Sequence, residues 1–308
     1  MSAFISLTDT EVFFMKNIAI LGLGNVGLAA ARAVQKAPDM RLCGFIRRSG
    51  EGLSEFPEVP AAASVFELSE KPDGVIICAP SRLAEGFAAP LLEQGISTAD
   101  GFDIHGEIFG LKKRLNAAAE RGGAAAIVGA GWDPGLDSAI RTLLLAAAPE
   151  GVTYTDFGPG MSMGHSAAVR AIPGVRNAVS MTLPAGFGAH RREVYIVTES
   201  GADKKALEHA VLSDPYFEHD ETAVRFIENT DSVKNTGHGV SLRRFGVSAG
   251  TGNENFSFEM RIDNPSLTGQ LLAAAMRAAF RKAPGAYLFP EIAPVELLPD
   301  FESASGVV

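Results

Sequence analysis

Three groups of residues in this 308-residue chain have types and spacings suited to chemistry. The first is Gly22-Leu23-Gly24-Asn25-Val26-Gly27, a Gly-x-Gly-x-x-Gly directly after a strand-like run and at the start of a helical pattern. There Gly22 permits a tight turn, Gly24 lets backbone approach a pyrophosphate, and Gly27 allows the helix to pack closely on the strand. The helix N-terminus adds N–H donors and positive potential. Where an NAD-binding chain carries a carboxylate about 20 residues on, this one has Ile46, Arg47, Arg48 and Ser49. Guanidiniums bind a 2'-phosphate by charge-assisted forked hydrogen bonds, so NADP(H) is the expected cofactor, against the plainer reading of a solvated arginine pair. A further turn, Cys78-Ala79-Pro80-Ser81, ends another strand-like run and is expected to pass near the cofactor, with Ser81 as a candidate phosphate or ribose contact.

The second group sets polar residues among glycines in two strings, Asp100-Gly101-Phe102-Asp103-Ile104-His105 and Gly131-Trp132-Asp133-Pro134-Gly135, and the third does so in the stretch from Gly158 to His165. The first two strings lie at the carboxyl ends of expected strands, where open α/β sheets place their ligands. Plainer readings compete. Asp103 and Asp133 could each cap the helix that follows, His238 could be a satisfied loop histidine, and Met163 could be core filling. Arg192 has Arg191 beside it on a strand, where only one of the two faces inward. His165 and Ser166 invite a nucleophile reading, but no third member or nucleophile elbow accompanies them. None of the six histidines forms a close ligand pair, so no metal is expected.

The elements that must position these residues follow from hydrophobic patterning. From Met15, short apolar runs (17–21, 40–46, 74–79, 95–99 and 124–128) alternate with helical stretches (26–36, 83–93 and 104–121). Continuous apolar runs are strands covered on both faces, so the expectation is a doubly wound, Rossmann-type parallel α/β domain over 15–133. After Pro134 a helix and six strand-like segments imply a second, mixed α+β domain over 134–265 with a mixed sheet. A final helix and tail, 266–299, is expected to return to the first domain. Residues 1–14 read as a loose extension, with Met1 and Met15 both possible starts.

Composition narrows the function classes. Lys and Arg number 27 against 36 Asp and Glu, a net charge of -9, which argues against a general nucleic-acid or anionic-membrane surface. With 46% hydrophobic residues disorder is not expected. Two cysteines, both in apolar runs, imply buried thiols in a reducing compartment rather than a disulfide framework. The 33 glycines exceed the roughly 22 of average usage, so their placement matters.

Together these strings resemble the meso-2,6-diaminopimelate D-dehydrogenase family. The similarity continues through Ala171-Ile172-Pro173-Gly174, Thr182-Leu183-Pro184, Asp214-Pro215-Tyr216-Phe217 with Asp220-Glu221-Thr222, Gly237-His238-Gly239 and Asn264-Pro265, and covers Met15 to Pro299. The resemblance implies a cofactor turn at Gly22 to Gly27, a 2'-phosphate pair at Arg47 and Arg48, and a nicotinamide-side loop at Cys78 to Ser81, with Gly101 and Phe102 also contacting the cofactor. It implies that Asp103 and Asp133, beside Trp132 and Phe157, hold the D-configured end of the substrate, and that the loop at Met163 and Gly164 closes over it. Thr182, Arg192, His238 and Asn264 would hold the L-configured end. Some members carry tryptophan at the Phe157 position.

Such a set suits a substrate with an ammonium and a carboxylate at each end: acids for the amines, and Arg, Thr, His or Asn donors for the carboxylates. The implied reaction is reversible NADP-dependent oxidative deamination, with Asp103 or Asp133 as the base. The resemblance further implies that the 134–265 domain serves substrate binding and dimerisation, in a cytoplasmic homodimer of lysine and peptidoglycan-precursor metabolism. The short stretch between Pro184 and His190 resembles the branch that also accepts other D-amino acids and 2-keto acids. Two alternatives stand beside this: another NADP-dependent oxidoreductase of amino-acid biosynthesis, and a non-catalytic dinucleotide-sensing module.

Overall fold

The computed structural model describes residues 15–300 apart from 219, 234–236 and 251, and of Met163 the backbone alone. The expected N-terminal extension lies outside the described residues. The chain divides into two compact units, one formed by the stretch through Ala139 together with that from Pro265, the other by Ile140–Asn264. The border falls inside a helix.

The first unit contains β1 (Lys16–Leu21), α1 (Asn25–Lys36), β2 (Met40–Ile46), β3 (Ala61–Ala62), β4 (Gly74–Ile77), α2 (Ser81–Glu93), β5 (Ser97–Asp100), α3 (Ile108–Gly122) and β6 (Ala125–Val128). Helix α4 (Leu136–Ala147) leads out of it. The second unit contains β7 (Glu150–Phe157), β8 (Gly160–Ser162), α5 (Met163–Arg170), β9 (Val175–Gly186), β10 (Ala189–Thr198), α6 (Lys204–Leu212), β11 (Glu221–Phe226), β12 (His238–Val247) and β13 (Glu254–Ile262). Then α7 (Asn264–Ala279) and β14 (Gly285–Leu288) rejoin the first unit.

The seven strands of the first unit run in the order β14-β6-β5-β4-β1-β2-β3, all parallel, as a Rossmann-type doubly wound sheet. Its central strands β4 and β6 are buried at every residue, the signature of a sheet covered on both faces. One face packs Ile18, Ile20, Ile76 and Ile127 against α1 and α7; the other packs Val75, Ile77, Ala126 and Val128 against α2 and α3. Burying each of the isoleucine and valine side chains contributes about 1.5–3 kcal/mol. Helix α7 is further tied down by the buried Arg277, whose guanidinium donates two bonds (2.6 and 2.8 Å) to Asp39. Strand order reverses between β1 and β4, the switch point at which such sheets open a ligand crevice at the strand carboxyl ends.

In the second unit the structure corrects the expectation of one mixed sheet. Strands β11-β10-β9-β8 form one sheet, with β10 and β11 parallel and the other pairs antiparallel, and β13-β12-β7 form another, wholly antiparallel. The division falls at Gly158-Pro159, between β7 and β8, where proline lacks an N–H for a ladder. Sequence patterning also misses β3, β8 and β14, which have four residues or fewer.

Candidate active site

The glycine-rich turn sits at the switch point. The Gly22 N–H donates to the Ile46 carbonyl (3.1 Å) and the Cys78 N–H to the Leu21 carbonyl (2.7 Å), so the ends of β1, β2 and β4 meet there. Gly22 has φ +87°, and a Cβ on it would lie 2.5 Å from the Cys78 carbonyl oxygen; a Cβ on Gly27 would lie 1.9 Å from that of Gly22. These two positions admit no side chain. Gly24 differs, with nothing within 4 Å of its Cβ direction. It is the N-cap of α1, which has no side-chain cap and no acid in its first turn. That arrangement suits backbone approach to an anion. Arg47 and Arg48 follow β2 directly; Arg47 donates one bond to the Glu51 carbonyl (3.3 Å), and Arg48 is exposed. Open glycine, uncapped helix and adjacent guanidiniums therefore fit a dinucleotide with a 2'-phosphate. The Cys78 thiol is pushed up to about 12 by burial and by the neighbouring Asp100, so it stays protonated.

Two loops at the carboxyl ends of β5 and β6 carry the candidate acids. Asp103 is not an N-cap: the 3-10 turn His105–Glu107 that follows has no side-chain cap, and Asp103 instead accepts a 2.5 Å bond from the Ser81 hydroxyl at Oδ1. Its own N–H donates back to Ser81 Oγ (3.2 Å). Asp103 is exposed, and its position is fixed from the Cys78 to Ser81 turn. Gly101 is half-buried and Phe102 buried. Trp132 is buried, and the half-buried Asp133 has its Oδ1 3.9 Å from His105 Nε2. The carbonyls of Gly131 and Trp132 accept the N–H groups of Leu136 and Asp137 and so fix the start of α4.

Asp100, the last residue of β5, is buried, and its Oδ1 accepts N–H bonds from Phe102 (3.0 Å) and Gly129 (3.3 Å). Burial raises its carboxyl to about 6 despite those two bonds.

The second unit assembles a separate polar cluster. Arg192 is buried while Arg191 is exposed, which settles which of the two faces inward. Strand register sets Arg192 opposite Thr182, and its Nη1 donates to the threonine hydroxyl (2.8 Å). Its Nε pairs with Asp220, and its Nη2 lies 3.3 Å from His190 Nε2. His190 stands edge-on to the half-buried Phe157 (6.5 Å between ring centres). His238 is buried at the start of β12, its Nδ1 within hydrogen-bond distance of both the Gly239 N–H (2.9 Å) and the Gly239 carbonyl (3.2 Å); burial, with Arg192 nearby, lowers its pKa.

His165 is pushed down to about 4, chiefly by burial and then by Arg192. Its Nε2 bonds the Tyr216 carbonyl (3.0 Å) and its Nδ1 accepts from Ser162 (2.8 Å), so it is a neutral anchor for α5. Ser166 donates to the Ser162 carbonyl and accepts the Ser180 N–H, and so is committed to structure rather than nucleophilic work. Gly164 is exposed in the first turn of α5, and Asn264 begins α7.

Sequence reasoning thus missed Asp100, His105, His190 and Asp220. Asp100 and Asp220 stood in motif strings without a role, and His190 and Arg192, two apart on β10, share a face by strand periodicity.

Comparisons with known proteins agree with this geometry. The model of the diaminopimelic acid dehydrogenase C-terminal domain family matches residues 131–188. The chain is similar to the meso-diaminopimelate D-dehydrogenase of Bacteroides fragilis, 46% identical over 91% of this chain and 94% of that one. It is also similar to that of Lysinibacillus sphaericus, 35% identical over 86% and 88%. Among solved structures, the Corynebacterium glutamicum DAP dehydrogenase in complex with DAP superposes with a TM-score of 0.83 at 32% identity, covering 93% of this chain and 97% of that one. An engineered D-amino acid dehydrogenase bound to NADP+ gives 0.80 at 31% identity, covering 93% and 97%. On sequence identity over nearly its whole length, the chain belongs to the meso-diaminopimelate D-dehydrogenase family.

Proposed function

We propose that the chain catalyses the reversible NADP-dependent oxidative deamination of the D-centre of meso-2,6-diaminopimelate, giving L-2-amino-6-oxopimelate and ammonia. The observation that carries this reading is the Ser81–Asp103 pair, which ties a carboxylate to the turn that flanks the cofactor site. When bound, the nicotinamide supplies the hydride acceptor. The protein's own task is to present the substrate's D-centre and manage protons. An ammonium cannot lose hydride from its carbon, so Asp103 or Asp133 takes a proton from it, directly or through water, leaving the amine neutral. Loss of hydride from the neutral amine gives an iminium ion, which water hydrolyses to the carbonyl and ammonia.

At the other end Arg192, Thr182, His238 and Asn264 hold the L-centre, with Trp132 and Phe157 packing on the aliphatic linker and Met163 and Gly164 covering the D-end. Binding energy far from the reacting carbon is thereby used for orientation. The Gly22 to Gly27 turn takes the pyrophosphate, Arg47 and Arg48 the 2'-phosphate, and Cys78 to Ser81 with Gly101 and Phe102 line the nicotinamide side.

The same reading makes the protein a cytoplasmic homodimer. Its two cysteines are unpaired, in keeping with a reducing compartment, and among the described residues no helix is long and apolar enough to cross a membrane. Val152 and Phe245, paired across β7 and β12, are both exposed, a surface suited to a second copy. Steady-state NADP+ reduction with meso-, LL- and DD-diaminopimelate and simple D-amino acids tests the activity. Turnover with the meso form and none with the LL form is expected. No reduction with the meso and DD forms overturns the reading, and faster turnover with NAD+ contradicts the role of Arg47 and Arg48.

A further inference from the structure

We propose that Asp100 is a positioning residue, a buried carboxylate that clamps together the two loops bearing Asp103 and Trp132–Asp133. It rests on the functional reading above for the work those loops do, but the clamp itself is a statement about geometry. Asp100 is the last residue of β5, and one loop begins at its own carboxyl end; the other begins at the end of the neighbouring strand β6. One oxygen, Oδ1, accepts from both: the Phe102 N–H at 3.0 Å, one residue before Asp103, and the Gly129 N–H at 3.3 Å, three residues before Trp132. The Asp100 carbonyl accepts a third bond, from the Ala130 N–H (2.8 Å).

Its surroundings make this an unusual place for an acid. Strand alternation from Ala99, which packs on the α1 and α7 face, turns the Asp100 side chain to the face that packs on α2 and α3, in register with Ile77. It is only 1% exposed, and its second oxygen, Oδ2, is buried without a hydrogen-bond partner. A buried, half-satisfied carboxyl is costly. An apolar residue would fit this packing but would leave two N–H groups of two different loops without an acceptor. The arrangement is explained when the acceptor is required at that point. The Phe102 and Gly129 N–H groups thus meet at one side-chain oxygen, which joins the backbone bond from Ala130 in setting the spacing of the two loops.

The test compares Asp100→Asn, Asp100→Ser and Asp100→Ala. Asparagine retains an oxygen in the Oδ1 position. Serine is long enough to reach the Phe102 N–H within its own turn but too short to reach Gly129 on the next strand. Trp132 is the chain's single tryptophan, so its fluorescence reads the second loop with no reference to catalysis. The expected order is wild type and Asn alike, then Ser and Ala with Stern–Volmer quenching by acrylamide at least doubled and the emission maximum shifted to the red. With meso-diaminopimelate, kcat should fall at least tenfold in Ser and remain within threefold of wild type in Asn, while the Kd for NADP+ stays within threefold in both. Should Ala fail to fold, the Asn and Ser pair decides alone. Equal Trp132 quenching in wild type and Ser, or an Asn variant as impaired as Ser, overturns the clamp. A wild-type enzyme inactive on meso-diaminopimelate overturns the functional reading instead and leaves the fluorescence result standing.

Discussion

The two units handle charge in opposite ways. In the first, the proposed anion site is made of backbone: an uncapped helix, an open Gly24, and two positions where any side chain would collide with a carbonyl. Beside that turn Arg48 is exposed, and Asp100 is buried with backbone N–H groups as its partners. In the second unit the site is made of side chains already paired with one another: Arg192 with Asp220, Thr182 and His190. A backbone cradle tolerates no side chain but needs no counter-ion. A buried guanidinium needs partners in place before any ligand arrives, because an unpaired buried charge is strongly destabilising. The first design suits a phosphate that is always the same; the second holds a binding group rigid and adjustable by its neighbours.

The largest effect that would sharpen this contrast is at Asp133. Asp133→Asn should lower kcat by about 10³-fold, the scale of a lost proton-transfer group, with the Kd for NADP+ unchanged by fluorescence titration. Retained turnover would move the base elsewhere. Next is Arg192→Met, which should raise KM for meso-diaminopimelate by about 10²-fold, as truncation of a buried charge partner does, and relax discrimination against D-amino acids lacking a second carboxylate. A uniform loss across all substrates would instead mark Arg192 as structural. Smaller again, replacing Arg47 or Arg48 by alanine should weaken NADP+ about tenfold by isothermal titration and leave NAD+ nearly untouched. Equal losses for both cofactors would return the pair to the solvated reading.

The smallest effect concerns pH. The folded pKa of His165, about 4, lies below the ordinary histidine value of 6.5, so the unfolded chain binds the extra proton first. Its contribution is fully present above about pH 6.5 and is lost as pH falls toward 4. Allowing for its partial exposure, this amounts to roughly 1 kcal/mol. Urea unfolding of wild type and His165→Asn at pH 4.5 and 7.5 should show a gap that narrows in acid; a constant gap contradicts the assignment.

What the sequence made legible follows the same division. The parallel unit could be read almost whole because strands buried on both faces appear as unbroken apolar runs, and glycines at fixed offsets mark the turn between them. Its failures were short strands such as Ala61–Ala62, whose pairing comes from Phe45 and Ile46 rather than from any pattern of its own. In the second unit every strand but the three-residue β8 is legible, but not their division into two sheets, because pairing partners are not encoded in a strand's own alternation. For the same reason Arg192 could not be told from Arg191 until register with Thr182 fixed its face. Asp100 escaped because an acid closing an apolar strand reads as a loop residue, and only the two amides converging on it disclose its burial.

The central claim of the proposed function is that hydride leaves the D-centre of meso-diaminopimelate and not the L-centre. Meso-diaminopimelate deuterated at the D-centre α-carbon tests it most directly, by mass analysis of the reduced cofactor. Deuterium in the NADPH from that label, and none from substrate labelled at the L-centre, is the predicted result. Transfer from the L-centre label, or reduction without deuterium from either, would contradict it.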